Sequence, residues 1–566
     1  MDTVQKPSPL TGLLIGLLLT APLMALFYLG NVLVGLPLVP LDFFDFLVPI
    51  IPGELITIVI DAMVTSIIAA GQGQNVDTLA KTIEQGMGYG MFWAVAAIIA
   101  TIVFVVARNM NATTALRVSA GVGIALGVVF GAISATSNFL EVSPVVAFLW
   151  TALLFAGWGL ALGWVYRDLS ALPTAGDKAS DEQVGRREFL VRVGGATATL
   201  TVVGAGLGLA LGGEDDALTG TTNTVGGGVE APDLTEAGEG AIEVADGRLP
   251  NADAVVQPAP GMRPEYTPVE EHYRIDIASR PIEIDLATWT LPFSGLVADR
   301  AFTMDELRND FQSLDQYVTL QCISNRIGGN LISTTKWTGV PVRDVLNELE
   351  IEEGGAWLKI DGGDDFFEYV SIEMIMNDER IMFTYDWDDE PLPTRNGFPL
   401  RIYIPDLYGM KQPKWIQNIE VVESDERGYW VRRGWSATAV MMTTSVVDTV
   451  ATRDFYADEE GAVRVPIGGY AISGAREISK VEISINDGEW IEADLRDPIS
   501  DTTWVFWRYD WTFEEGEHTF AVRCYDGDGD LQPTRERGVR PDGASGIDTA
   551  EAALPDPETA LEGLLG

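Results

Sequence analysis

The chain has 566 residues, with 82 acids against 37 bases and a formal net charge of −45, which excludes the basic footprint that nucleic-acid binding requires. Its length exceeds the ~250–300 residues at which a single core stops growing, so several domains are expected. Only eight of the bases are lysine and only two residues are cysteine. The first points to an acidic surface of the halophilic type, whose self-repulsion salt screens; the second rules out a disulfide framework.

Five apolar runs in residues 1–212 approach the ~20 residues needed to cross a bilayer. They fall near 10–29, 88–106, 118–135, 144–165 and 191–211. The run 42–71 differs, because Glu54, Thr57, Asp61 and Thr65 draw one polar stripe along a helix, so it is expected to lie in the interface or re-enter. Arg108 and Arg117 flank one loop, while Arg167, Lys178, Arg186 and Arg187 crowd another. Both loops are therefore expected on the cytoplasmic side, and everything after residue 212 outside it. Gly185-Arg186-Arg187-Glu188-Phe189-Leu190, leading into a mildly apolar span, has the form of a twin-arginine signal for export of folded protein. A bis-histidine haem within the spans is excluded, because His272 and His518, the only histidines, lie far downstream.

Residues 213–268 are rich in Gly, Thr, Ala, Asp, Glu and Pro without periodicity and read as an acidic flexible linker. From 269 to 444, short β-rich runs alternate with helical ones at 304–312, 342–349 and 372–376, which predicts a mixed α+β (α/β) domain. Residues 445–548 carry strands only: Val481, Ile483 and Ile485 alternate with polar residues ahead of the hairpin signal Asn486-Asp487-Gly488. An immunoglobulin-like β-sandwich is expected there, followed by an acidic tail at 549–566. Cys524 alternates with Phe520 and Val522 and is read as a small buried hydrophobe. Asp526-Gly527-Asp528-Gly529-Asp530 lacks the glutamate spacing of a calcium loop and is read as a tight acidic turn.

Cys322 is different, since it ends an apolar run and opens the polar, glycine-bearing loop Ser324-Asn325-Arg326-Ile327-Gly328-Gly329. No histidine lies within motif distance to serve as its base, and zinc would need companions that are missing. A lone thiolate can instead bind a soft metal whose other ligands come from a cofactor. Thr319-Leu320-Gln321-Cys322-Ile323-Ser324-Asn325, with Gly328-Gly329 and Lys336-Trp337-Thr338-Gly339-Val340-Pro341, resembles the cysteine segment of the sulfite oxidase family of molybdopterin oxidoreductases. Glu390-Pro391-Leu392-Pro393, Asn396-Gly397-Phe398-Pro399-Leu400-Arg401, Tyr408-Gly409 and Lys414-Trp415 continue the pattern in order. Gly428-Tyr429-Trp430 with Arg433-Gly434-Trp435 resembles the end of that catalytic domain, and the β-rich tail with Pro541-Asp542-Gly543-Ala544-Ser545-Gly546 resembles the family's dimerisation domain.

The resemblance implies a molybdenum-molybdopterin cofactor with Cys322 as the protein's thiolate ligand to the metal, and oxygen-atom transfer as the reaction. It places Tyr273, Arg274 and Asp276 on a pterin-contacting loop, with Arg274 expected to steer an anion, and Asp364 or Asp365 near a further contact. Arg401 and Lys414 suit a phosphate-bearing pterin on chemical grounds too, arginine by paired hydrogen bonds and lysine as a point charge. Asn396 stands where many relatives carry histidine. Arg274-Ile275-Asp276 replaces the arginine-asparagine-histidine run of true sulfite oxidases, so the substrate class is left as a small oxo-anion or an S/N-oxide, and a methionine-sulfoxide-reductase-like activity stays open. Arg274, Arg326, Lys336, Arg432 and Arg433 are the basic candidates for a substrate pocket. With no haem-attachment Cys-x-x-Cys-His present, an external electron carrier is expected, whether cytochrome, cupredoxin or quinone, along with a homodimer. The competing class is a non-catalytic membrane-tethered binding domain that has kept the fold.

Overall fold

A computed structural model of the chain describes residues 6–70, 76–137, 139–140, 142–171, 186–211 and 249–554. Two compact units emerge, one holding nearly all the helices before residue 212 together with Ala278–Arg280, the other the strand-rich remainder.

Helices α1 (Pro9–Val34), α2 (Val39–Leu47), α3 (Gly53–Ala69), α4 (Val76–Ala107), α5 (Ala112–Ala135), α6 (Pro144–Ala171) and α7 (Arg186–Leu211) make up the first unit. Five helical stretches are long and apolar enough to cross a membrane: Pro9–Val34, Leu79–Ala107, Ala112–Ala135, Pro144–Ala171 and Glu188–Leu207. They match the five runs read from the sequence, while α3, at 17 residues, is shorter. The side chains of Glu54, Thr57 and Asp61, which made the polar stripe, lie outside the described residues, as do those of Arg186 and Arg187. Helix ends follow local chemistry. Ser8 accepts the Thr11 N–H at the start of α1, Asn111 does the same for Thr114 at α5, and Gly35 closes α1 at φ 62°. Helices α5 and α6 meet backbone to backbone, since a Cβ at Gly123 would lie 2.4 Å from the Phe155 carbonyl oxygen. Small residues permit the close approach that dispersion needs between apolar helices. Within the same unit, Arg280 reaches the buried Asp42 at 2.6 Å and stacks on Phe139, and Asp42 also accepts from Ser134 and Ser137. The buried charge is thus paired and hydrogen-bonded, as burial demands.

In the second unit the strands are β1 (Leu291–Gly295), β2 (Arg300–Phe302), β3 (Leu314–Gln321), β4 (Ile332–Pro341), β5 (Trp357–Gly362), β6 (Phe367–Ser371), β7 (Met382–Trp387), β8 (Glu390–Pro391), β9 (Arg401–Tyr403) and β10 (Ile416–Val422). Short helices α8 (Met304–Asn309), α9 (Val342–Asn347) and α10 (Ile372–Asn377) interleave with them, close to the predicted positions. A capping box between Thr303 and Glu306 starts α8. One sheet runs β2-β1-β10-β5-β6 and another β3-β4-β7-β8, with β9 on β7. A core of Leu291, Phe293, Val340, Leu358, Ile360, Phe383 and Ile419 joins them, which gives the mixed α/β layer arrangement.

Strands β11 (Thr444–Val450), β12 (Tyr456–Ala457), β13 (Val463–Ile472), β14 (Ile478–Ile485), β15 (Ile491–Glu492), β16 (Asp494–Leu495), β17 (Val505–Thr512), β18 (Gly516–Asp526) and β19 (Asp548–Leu554) form two antiparallel sheets, β11-β13-β17-β16 and β15-β14-β18-β19. Their inner faces share one core, with Val465, Ile467 and Trp507 from the first and Val481, Ile483, Phe520, Val522 and Cys524 from the second. Cys524 is therefore the buried hydrophobe expected of it. Asn486 and Asp487 turn at φ 52° and 55°, the left-handed pair that a tight hairpin uses. The acidic 526–530 segment closes as a turn, with Asp526 donating to the Asp530 carbonyl at 3.0 Å. One expectation needs correction. The linker read over 213–268 ends earlier, because by residue 249 the chain packs on this unit. Glu265 and Arg496 form a buried ion pair at 2.9 Å, and Asn251 donates to Glu265 at 2.7 Å. The composition is that of a tether, but Glu265 meets Arg496 231 positions away, beyond any local pattern.

Candidate functional site

Strand β3 pairs with β4 from Leu314↔Gly339 to Gln321↔Ile332, so the chain between them is a loop that opens at Cys322. The loop is closed on itself. Cys322 N–H donates to Leu331 O and Asn325 N–H to Cys322 O, both at 3.0 Å, while the Asn325 carboxamide oxygen accepts the Leu331 N–H. Gly329 must be glycine here, since a Cβ would lie 2.4 Å from that Asn325 oxygen. The Cys322 thiol is 7% exposed and sits 3.0 Å from the Ser324 hydroxyl. Burial pushes its pKa up, partly offset by Ser324 and by Lys414. Among the described residues no group of three or more His, Cys, Asp or Glu could hold a metal, so any metal at this sulfur takes its other ligands from elsewhere.

The facing wall comes from four separate stretches. Tyr273, Arg274 and Asp276 follow the turn Val269–Glu271; Asp364 lies in the β5–β6 connection; Asn396 and Arg401 surround the tight turn at Gly397; and Lys414 precedes β10. Lys414 and Arg401 converge there, because a Cβ at Gly397 would lie 3.0 Å from the Lys414 Cβ and 3.3 Å from that of Arg401. Lys414 Nζ binds Asp276 at 3.0 Å, and Asp276 also takes the Arg274 guanidinium at 2.7 Å. Burial, with Asp276 and Arg274 as further influences, brings the Lys414 ammonium down to about 8. Burial first, and the neighbouring Asp276 second, push Asp364 up to about 7. Asp365, by contrast, is an exposed residue at φ 64°, so of the two candidates Asp364 faces the cluster. Arg401 is 3% exposed and donates to the Asn396 carbonyl at 3.0 Å, with its guanidinium over Trp337 at 4.6 Å. Among the described residues no carboxylate offsets it, and burial lowers its pKa to about 10. Tyr273 lies between the walls, its hydroxyl near Gly409 and its pKa raised by burial and by proximity to Cys322.

Arg274, Asp276, Asp364 and Lys414 form one charge cluster, Arg401 and Asn396 meet each other, and Lys414 and Tyr273 also interact electrostatically with the Cys322 thiol, but the basic candidates for a substrate pocket do not stand equally open. The charge of Arg274, expected to steer an anion, is taken up by Asp276. Lys336 is held by Asp389 at 2.6 Å, and Arg432 leans on Phe367 near Glu426. Arg433 stacks 3.5 Å above Tyr429. Sequence reasoning missed His272, which is buried beside Tyr273 and Trp387; its only sequence signal was adjacency to the Tyr273 loop.

Residues 278–430 match the model of the oxidoreductase molybdopterin-binding domain, and residues 436–540 that of the Mo-co oxidoreductase dimerisation domain. The chain carries a molybdopterin-binding oxidoreductase domain followed by a Mo-co oxidoreductase dimerisation domain. Similar curated proteins include a nitrate reductase [NAD(P)H] of Hordeum vulgare, 28% identical over 330 residues, covering 48% of this chain and 37% of that protein. Another, from Betula pendula, is 29% identical over 308 residues, covering 44% and 34%. The chain therefore spans little more than a third of the length of these relatives. Among solved structures, the sulfane dehydrogenase SoxCD from Paracoccus pantotrophus is 20% identical with a TM-score of 0.44, covering 52% of this chain and 84% of that one.

The molybdopterin-binding domain implies a molybdenum-molybdopterin cofactor, and the site residues fit that group. A single thiol with no protein co-ligands is the donor set a cofactor-borne metal requires. Arg401 keeps a buried Nε–H without a partner among the described residues, a donor aimed at something outside the protein.

Proposed function

We propose that the chain is a membrane-anchored, extracytoplasmic molybdenum-molybdopterin oxidoreductase acting on a small oxo-anion or an S/N-oxide. The observations that carry this reading are Cys322, a buried thiol outside any cluster of metal-ligating side chains among the described residues, and Arg401, a buried guanidinium with no carboxylate partner among them. When bound, the molybdenum centre supplies two-electron oxygen-atom transfer. The chain's own residues do the rest. Cys322 gives the thiolate, Arg401 and Lys414 grip the anionic pterin, and Asn396 and Tyr273 close its sides. Asp364 and Asp276 hold the Lys414 and Arg274 charges in register. The anchoring reading rests on the five apolar helices, and the outward placement rests on the arginines at 108, 117, 167, 186 and 187. A twin-arginine route fits a protein that must fold around its cofactor before crossing. The C-terminal pair of sheets is read as the immunoglobulin-like module that makes a homodimer. An external cytochrome, cupredoxin or quinone exchanges single electrons with the site.

Because Arg274, Lys336 and Arg432 are already committed to acids or rings, the pocket favours a neutral oxide or a singly charged oxo-anion over a dianion. Dye-linked turnover of purified protein with sulfite, nitrate and methionine sulfoxide tests this. Activity on nitrate or a sulfoxide is expected. Absence of molybdenum after expression in a cofactor-competent host would favour a binding domain that has kept the fold.

A further inference from the structure

His272 occupies a place that neither packing nor the assigned cofactor contacts explain. The ring is 2% exposed, its centroid stacked 5.3 Å from Tyr273 and tilted 32° against Trp387 at 4.4 Å. Its Nδ1 lies 3.0 Å from the Tyr273 carbonyl oxygen. A carbonyl can only accept, so Nδ1 carries the hydrogen, and Nε2 is left as a bare acceptor. Among the described residues nothing donates to that Nε2. Protonation does not rescue it. Burial, together with the nearby Arg401, Arg395 and Lys414 charges, lowers the imidazole pKa to about 3.

The surroundings sharpen the question. Trp337 Nε1, Trp387 Nε1 and Arg401 Nε are buried donors without partners among the described residues, and Gln321 Oε1, beside Cys322, is a buried acceptor without one. Arg401 lies over both Trp337 and Trp387, at 4.6 and 5.2 Å, so the unmet groups on these residues and on His272 form one neighbourhood. A phosphate presents chiefly acceptors and would satisfy the donors while leaving His272 Nε2 empty. A group that satisfies both kinds must present N–H donors as well as acceptors, as a fused nitrogen heterocycle does. Buried polar groups in folded proteins are nearly always paired, and leaving one unpaired costs about 1–3 kcal/mol.

We propose that His272 is a positioning residue that accepts, through Nε2, an N–H hydrogen bond from the heterocycle of the bound pterin. The stack of Tyr273, His272 and Trp387 fixes the ring plane, and the Tyr273 carbonyl fixes the tautomer. The proposal rests on the molybdopterin reading of the site, and the test separates the two.

Purified full-length holoenzyme in detergent is compared with His272→Phe, which keeps an aromatic ring but loses the acceptor, and with His272→Gln, which restores one. The readout is the rate at which the pterin is released at fixed temperature, followed by the fluorescence of the released, oxidised pterin. The thermal midpoint of each cofactor-free protein is measured in parallel. His272→Phe should release pterin about tenfold faster, the loss expected for one neutral hydrogen bond. His272→Gln should recover most of that loss, and the cofactor-free midpoints should stay close together. Equal release rates for wild type and His272→Phe would overturn the proposal. So would a fall in the cofactor-free midpoint of His272→Phe with no change in release, which would make His272 a packing residue. A wild-type chain that carries no pterin at all would sink the molybdopterin reading, and this proposal with it.

Discussion

Burial raises the pKa of the Cys322 thiol, against the opposing pull of Ser324 and Lys414. Cys322→Ser changes one atom in a loop closed by backbone bonds, so its thermal midpoint should shift little while turnover falls to background; scanning calorimetry beside a dye-linked assay checks both. Asp364 carries a second prediction. Its folded pKa, about 7, exceeds the ordinary 3.8, so the folded state holds a proton that the unfolded chain has already lost. That contribution is complete below 3.8 and disappears as pH rises through about 7, so the cofactor-free protein should lose stability across that window. Asp364→Asn should flatten the dependence, as read from unfolding midpoints at successive pH values. Much of this site was legible as residue types: Cys322, Arg401 and Lys414 each stood out against acidic or apolar neighbours. What sequence could not supply was partnership. Asp364 and Asp365 are adjacent and chemically identical, and only the φ of 64° at Asp365 separates them. Arg274 looked like a free cation until Asp276 was found 2.7 Å away.

At the scale of elements, the five long apolar helices were legible because uninterrupted apolar runs of that length read plainly from the sequence, and the hairpin at Asn486-Asp487 because two consecutive left-handed residues favour those side chains. The contact of α5 with α6 was not legible, since the small residues that allow it look like ordinary helix composition until the partner is in place. Gly123→Leu would drive a side chain into the Phe155 carbonyl and should destabilise the helical unit by about 1–3 kcal/mol or more. Aggregation on detergent extraction, compared with Gly121→Leu, where a Cβ meets nothing within 4 Å, checks it. The packing of residues 249–268 is hidden in composition for a related reason. Glu265 finds Arg496, and Trp504 donates to the Glu265 carbonyl at 2.9 Å, so its order comes from tertiary contacts rather than from its own composition.

For the molecule as a whole, a net charge of −45 sets the conditions under which the fold survives. Self-repulsion among carboxylates is screened within a Debye length of ~3 Å at 1 M salt, so the unfolding midpoint should rise as KCl approaches molar concentrations. A midpoint independent of salt would contradict that. Outward placement of the catalytic part is tested by Arg186→Lys combined with Arg187→Lys, which should leave it on the protease-protected, cytoplasmic side of cells made permeable only at their outer surface. The central claim, that one cysteine ties a molybdenum cofactor to this chain, is tested most directly by X-ray absorption at the molybdenum edge of the purified full-length protein. Cys322→Ser should show one sulfur neighbour fewer around molybdenum than wild type. An unchanged sulfur shell, or no molybdenum in the wild-type protein, would contradict it.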